Sequence, residues 1–208
     1  MLDYKNNWYD NNSIREINKL VWFEDTPQPS LDLILSCNLR KDDIILEVGS
    51  GTATLIKNLL QESYSNIVVT DISSVSIDRA KKFLDSRDAG KIKWVVDDIA
   101  DPKIITRLAG IDLWHDRIVL PVLDEYSQNG YLNTLKILVR KNGFVIIAVL
   151  SPDVGKRSVS FGTKNYDYKM IEEFLGKDFK LLKHFSYSYR MSSGTLRPYV
   201  YTLFQRIT

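Results

Sequence analysis

The chain has 208 residues, 44% hydrophobic and 26% charged, with 28 basic and 26 acidic residues and a net charge of +2. That length and composition suit one globular domain with a sizeable core and exclude a disordered chain, while nearly cancelling charges give no reason to expect a basic nucleic-acid-binding face. The longest apolar run, Phe144 to Leu150, is far short of the roughly 20 residues that span a bilayer.

Residues 1–7 are polar and lack the apolar stretch of a secretory signal, so a cytoplasmic protein is expected. Residues 1–40 read as a helical cap carrying Trp8, Tyr9, Trp22 and Phe23, either a packed cover or a lid. Pro27 and Pro29 interrupt it before a helix from Ser30 to Cys37. Cys37, the one cysteine, lies in an apolar helical pattern and reads as a buried, inert thiol.

From there, β-branched runs alternate with helical spacing, the pattern of crossover units and a mainly parallel sheet. The expected strands are Asp43–Val48, Asn66–Asp71, Ile92–Asp97, Ile111–Trp114 and Gly143–Leu150. The expected helices are Thr52–Gln61, Ser74–Ser86, Pro102–Leu108 and Ser127–Val139, the third starting from an Asp101 cap. Lys180–Tyr189 and Thr195–Arg206, joined by Arg190-Met191-Ser192-Ser193-Gly194, predict a long antiparallel hairpin at the sheet edge. The fold expected is a doubly wound α/β domain spanning 1–208, with a seven-stranded mixed sheet over 41–208.

The first strand runs into Glu47-Val48-Gly49-Ser50-Gly51-Thr52. Gly49 permits a tight turn, Gly51 lets the backbone approach a ligand, and the following helix aims its N–H groups at it. Asp71 closes the second strand at the spacing of a ribose-binding carboxylate, with Ile72 beside it. Asp98, after the third strand, is placed to accept from an adenine amine, with Ile99 against the ring. Either aspartate alone is equally well a cap or turn residue, but three such sites at successive strand ends point to a bound nucleoside. A dinucleotide wants a small residue where Thr54 stands, and Glu47 is unfavourable near a pyrophosphate. A ligand with an ammonium and a sulfonium suits Glu47, which favours S-adenosylmethionine over NAD.

Glu47-x-Gly49-x-Gly51, Asp71 and Asp98 resemble the nucleoside-binding motifs of class I, seven-stranded methyltransferases across Asp43–Leu150. Val21-Trp22-Phe23 with Pro29-Ser30-Leu31, Asp71-Ile72-Ser73, and above all Asp112-Leu113-Trp114-His115-Asp116-Arg117 are similar to a group of small bacterial methyltransferases with a Trp-His-Asp-Arg motif. The chain departs from that group at Leu120-Pro121-Val122, which replaces an aromatic-His-aromatic run. It departs again at Lys156-Arg157-Ser158-Val159-Ser160, which lacks a cysteine, and at Ala53, which replaces a third glycine.

The resemblance implies cofactor-binding roles for Glu47, Gly49, Ser50, Gly51, Asp71, Ile72, Asp98, Ile99, Trp114 and Trp22. His115, able to accept a proton from a substrate, and Asp116, able to orient an amine, are the catalytic candidates, against the plainer reading of an internal ion-pair cluster. His184 reads as structural, and the hydroxyl-rich segment Ser151–Asp167 as part of substrate recognition. No metal is expected. The partner expected is a small-molecule or protein substrate, without specific nucleic acid or membrane binding. Three other functions stay open: a protein lysine or amine methyltransferase, an NAD-dependent oxidoreductase, and a non-catalytic nucleoside-binding module.

Overall fold

Along the central strands, successive side chains point to opposite sides and both sides are covered, as a buried parallel sheet requires. Ile45, Leu113, Ile146 and Tyr201 face one layer with Leu33, Ile56 and Leu59. Leu46, Trp114, Val145 and Phe204 face the other with Tyr131, Leu135 and Ile171. Each large apolar side chain so enclosed contributes roughly 1.5–3 kcal/mol relative to exposure. The structure is a computed structural model that describes residues 23–49, 53–108, 110–152, 165–191 and 194–208.

The parallel strands are β1 (Ile45–Val48), β2 (Ile67–Asp71), β3 (Lys93–Val96), β4 (Ile111–Arg117) and β5 (Val139–Leu150). The C-terminal hairpin is β6 (Phe179–Arg190) and β7 (Leu196–Arg206), antiparallel to each other, with β7 antiparallel to β5. The sheet order is β3-β2-β1-β4-β5-β7-β6. The chain therefore winds outward from β1 to β3, returns to β4 beside β1, and continues the other way. A crevice opens at such a reversal, at the carboxyl ends of the strands.

The helices are α1 (Gln28–Ser36), α2 (Thr54–Gln61), α3 (Ser74–Phe83), α4 (Ser86–Ala89), α5 (Glu125–Leu138) and α6 (Tyr168–Leu175). Four carry side-chain caps: Ser73 accepts from Ser76 N, Asp85 from Asp88 N, Asp124 from Ser127 N and Asp167 from Met170 N. No described helix is long and apolar enough to cross a membrane.

Three expectations need correction. Pro102–Leu108 is no α-helix; only a 3-10 turn forms, at Ile105–Arg107. The Asp97 carboxylate takes the N–H groups of Lys103, Ile104 and Ile105 at 2.7–3.1 Å and winds the chain around itself, while Asp101 pairs with Lys103. The helix expected to run to Ser86 stops at Phe83, because Leu84 is extended and Asp85 caps a new turn. The fourth strand runs on to Arg117, so His115, Asp116 and Arg117 are strand residues and not a loop beyond it. Pairing of Glu47 with His115 and Val48 with Asp116 keeps them in the sheet. Helix α6, unforeseen, covers the hairpin, where Tyr168 stacks on His184 at 3.7 Å between centroids. Cys37 donates to Leu33 O, and burial pushes its thiol up to about 12, so it stays protonated.

Candidate functional site

Three adjacent strands deliver Gly49, Asp71 and Asp98 to one edge of the sheet. Gly49 follows β1 with φ +81°, and its N–H donates to Thr70 O at 2.8 Å, tying the turn to β2. A Cβ on Gly49 would lie 2.7 Å from Val119 Cγ2, so the chain after β4 rests directly on this glycine. Ala53, where α2 begins, has φ +59°, a left-handed conformation that a glycine would adopt more cheaply. Ser50, Gly51 and Trp22 lie outside the described residues, as do Trp8, Tyr9 and Lys156–Ser160.

Asp71, half-buried at the end of β2, accepts from Ser73 N at 2.8 Å, and its own carbonyl accepts from Asp97 N at 3.0 Å. Ile72 is exposed beside it. Asp98 accepts from Ala100 N at 3.0 Å, and Ile99 is buried against the sheet. This segment stands on Asp97. Burial raises the Asp97 carboxyl, but backbone N–H donors from Lys103, Ile105, Ile104 and Asp98 hold it below the usual range. Sequence reasoning passed over Asp97 because an aspartate before another at a strand end carries no sign of which one points inward.

At the tip of β4 the alternation of a strand splits the Trp-His-Asp-Arg segment between two faces. Trp114 and Asp116 point towards α5. The Trp114 Nε1–H donates to Tyr131 Oη at 3.0 Å, and the Tyr131 hydroxyl donates to Asp116 Oδ2 at 2.7 Å. Asp116 also accepts from Val119 N at 2.7 Å and Leu120 N at 2.9 Å. Burial pushes its carboxyl up to about 6, against the downward pull of these donors and of His115. The turn it holds contains Ile118 at φ +78°, a strained conformation for a β-branched residue.

His115 and Arg117 point to the opposite face, towards α1. His115, 1% exposed, donates from Nδ1 to Glu47 Oε2 at 2.6 Å, since the carboxylate only accepts, and its Nε2 meets Ser30 Oγ at 2.9 Å. Arg117 donates to Glu24 Oε1 at 3.1 Å and lies over the Tyr199 ring. Trp114, His115 and Asp116 are thus enclosed side chains with partners on each polar atom, the arrangement of an internal hydrogen-bond cluster. No group of three His, Cys, Asp or Glu among the described residues could hold a metal ion.

The sheet order, the reversal between β1 and β4, and the terminal antiparallel hairpin define the fold of the class I, S-adenosylmethionine-dependent methyltransferases. A family model described as a methyltransferase domain matches residues 45–143. The chain is 24% identical over 134 residues to EEF1A lysine methyltransferase 2 of Danio rerio, a match covering 61% of this chain and 57% of that protein, less than two thirds of its length. Among solved structures it superposes on the N-methyltransferase NodS from Bradyrhizobium japonicum WM9 in complex with S-adenosyl-L-homocysteine, with a TM-score of 0.74 and 15% identity over 98% of this chain and 99% of NodS. It also superposes on the [4+2]-cyclase SpnF, with a TM-score of 0.69 and 12% identity over 87% of this chain and 80% of SpnF.

Proposed function

We propose that this protein is an S-adenosylmethionine-dependent methyltransferase whose acceptor is a small molecule. The observation that carries the reading is the alignment of Gly49, Asp71 and Asp98 at the tips of β1, β2 and β3, beside the reversal in strand order. An exposed Ile72 next to a rim carboxylate suits a nucleoside, which offers hydroxyls and an apolar ring side by side. Asp71 takes the ribose hydroxyls, Asp98 the adenine amine, and Ile72 and Ile99 the ring. Glu47, Ser50, Gly51 and Trp22 complete the cofactor side of this reading, while Trp114, enclosed against Tyr131, supports the β4 tip from within the core. The cofactor supplies an already activated methyl group.

The chain's own work is then to align donor and acceptor and to keep water out, and proximity of that kind supplies several kcal/mol. His115 and Asp116 act here as positioning residues. Asp116 holds the strained turn at Ile118 against Gly49, and His115 ties β1 and β4 to α1 through Glu47 and Ser30. We read the whole of 1–208 as one functional unit in the cytoplasm.

Calorimetry with S-adenosylhomocysteine and NAD tests this. The expected result is binding of the former alone, weakened about tenfold or more by Asp71→Ala, since a charged acceptor to a hydroxyl is worth roughly 1.5–3 kcal/mol. Binding of NAD alone would replace the reading with that of an oxidoreductase. The cyclase SpnF shares the fold, so transfer of label from S-adenosylmethionine to a cell-extract fraction is the second measurement. Label arriving in protein would favour the lysine or amine acceptor suggested by the Danio rerio relative.

A further inference from the structure

Beyond the cofactor tips, the face of the sheet under α1 carries a belt of polar and aromatic side chains that runs from β4 to the edge strand. Register places Arg117 opposite Ala148, Ala148 opposite Tyr201 and Tyr201 opposite Phe185. One step nearer the carboxyl edge, Leu150 is opposite Tyr199 and Tyr199 opposite Tyr187. A further step, past the end of β5, brings Arg197 opposite Tyr189. Arg197, Tyr199 and Tyr201 alternate along β7 and so share this face. The small Ala148 leaves room for Arg117 to reach across to the Tyr199 ring, 5.6 Å away.

Buried polar groups without partners are rare in proteins and call for an explanation, such as a ligand. Among the described residues, three such atoms fall in this belt: the hydroxyls of Tyr199 and Tyr201, both 0% exposed, and Glu24 Oε2. Arg117 answers the other Glu24 oxygen at 3.1 Å. Arg197 is half-buried and forms no ion pair among the described residues. Burial and the neighbouring Arg117 charge both pull its guanidinium below the usual range. With Glu24 and Arg117 set against each other, Arg197 is a second guanidinium of the belt, two residues along β7 from Tyr199 and on the same face.

We propose that this belt binds the acceptor and that the acceptor carries an oxyanion, a carboxylate or a phosphate, which docks on Arg197 and the hydroxyl of Tyr199. The inference rests on the methyltransferase reading for its choice of acceptor. A planar guanidinium matches the geometry of either oxyanion with two parallel hydrogen bonds, and Tyr199 adds a third donor. The rings of Tyr199 and Tyr201, 6.1 Å apart, and of Phe185, stacked on Tyr201 at 5.5 Å, form an apolar wall for the rest of the molecule. Arg117, adjacent to the turn at Ile118, puts the belt next to the β4 tip, where the reacting end of the donor belongs in the proposed function.

The test is calorimetric titration of the full chain, with and without S-adenosylhomocysteine, using benzoate, inorganic phosphate and benzylamine as probes. At least one of the two anions is expected to bind saturably, with benzoate favoured if the group is a carboxylate and phosphate if it is a phosphate. Arg197→Gln is expected to weaken that anion tenfold or more while leaving S-adenosylhomocysteine affinity unchanged. Tyr199→Phe, which removes a single hydroxyl and keeps the ring, is expected to weaken it severalfold without loss of folding. Absence of saturable anion binding, equal binding to wild type and Arg197→Gln, or tighter binding of benzylamine would each overturn the proposal. Anion binding that depends on Arg197 in a protein that ignores S-adenosylhomocysteine would uphold the oxyanion site and reject the methyltransferase reading instead.

Discussion

The hydroxyl of Tyr131 on α5 donates to Asp116 Oδ2 on β4 at 2.7 Å, and both side chains are wholly buried. Through Asp116 the bond reaches the backbone of Val119 and Leu120, and Val119 in turn rests on Gly49. A helix on one face of the sheet thereby fixes the turn that borders the crevice at the reversal between β1 and β4. Tyr131→Phe removes a donor to a buried carboxylate and the acceptor for Trp114 Nε1. It is expected to cost about 1–3 kcal/mol in urea unfolding and to weaken S-adenosylhomocysteine binding. Unchanged stability would mean that Asp116 holds the turn without help.

The protonation of Asp116 gives a pH signature. Its folded value of about 6 lies above the ordinary value of 3.8, because burial outweighs the donors around it. The folded state therefore holds this proton more tightly than the unfolded chain does. The stabilisation is fully present below about pH 4 and is lost as pH rises through about 6. Compared with Asp116→Asn, which does not titrate, the wild type is expected to gain about 1 kcal/mol between pH 7 and pH 5. Urea unfolding of both proteins at the two pH values measures it, and a constant difference would contradict the raised value. Asp97 behaves in the opposite sense: its depressed value contributes stability above the unfolded range that is lost as pH falls below about 4.

Gly130 lies inside α5, where alanine is intrinsically better by about 1 kcal/mol. A Cβ there would sit 1.9 Å from the carbonyl oxygen of Ala100, a backbone atom that cannot rotate away. Gly130→Ala is therefore expected to destabilise by about 1–3 kcal/mol, against its helix propensity. Because Ala100 follows Asp98 and Ile99, nucleoside affinity is expected to fall as well. Thermal unfolding and calorimetry check the two effects separately.

Ala53→Gly is expected to act the other way. Its left-handed backbone costs roughly 1–2 kcal/mol for an L-residue, and glycine gives back part of that relief through a freer unfolded chain. A net gain of about 0.5–1 kcal/mol in urea unfolding is expected. A loss would show that the methyl group, 3% exposed, contributes more by packing than its conformation costs.

The alternation of β-branched runs with helical spacing in the sequence was enough for the five parallel strands, the closing hairpin and the placing of Gly49, Asp71 and Asp98 at strand ends. Apolar periodicity is a local property, and strand ends in such a fold are marked by Gly and Asp within a few residues. It did not reveal α6, an eight-residue amphipathic segment too short to stand out beside a long loop. Nor did it show that Asp97, not Asp101, organises residues 103–105, since which of two nearby carboxylates turns inward depends on the packing around them.

By itself, the sequence determined the sheet and the crevice edge, because both follow from period and turn chemistry read along the chain. Only the tertiary structure decided what Trp114, His115, Asp116 and Arg117 do. In a strand, neighbours face opposite sides, so four consecutive residues that read as one cluster meet Tyr131 on one face and Glu47, Ser30 and Glu24 on the other. Those partners lie between 15 and 93 residues away along the chain, a separation that only packing can close.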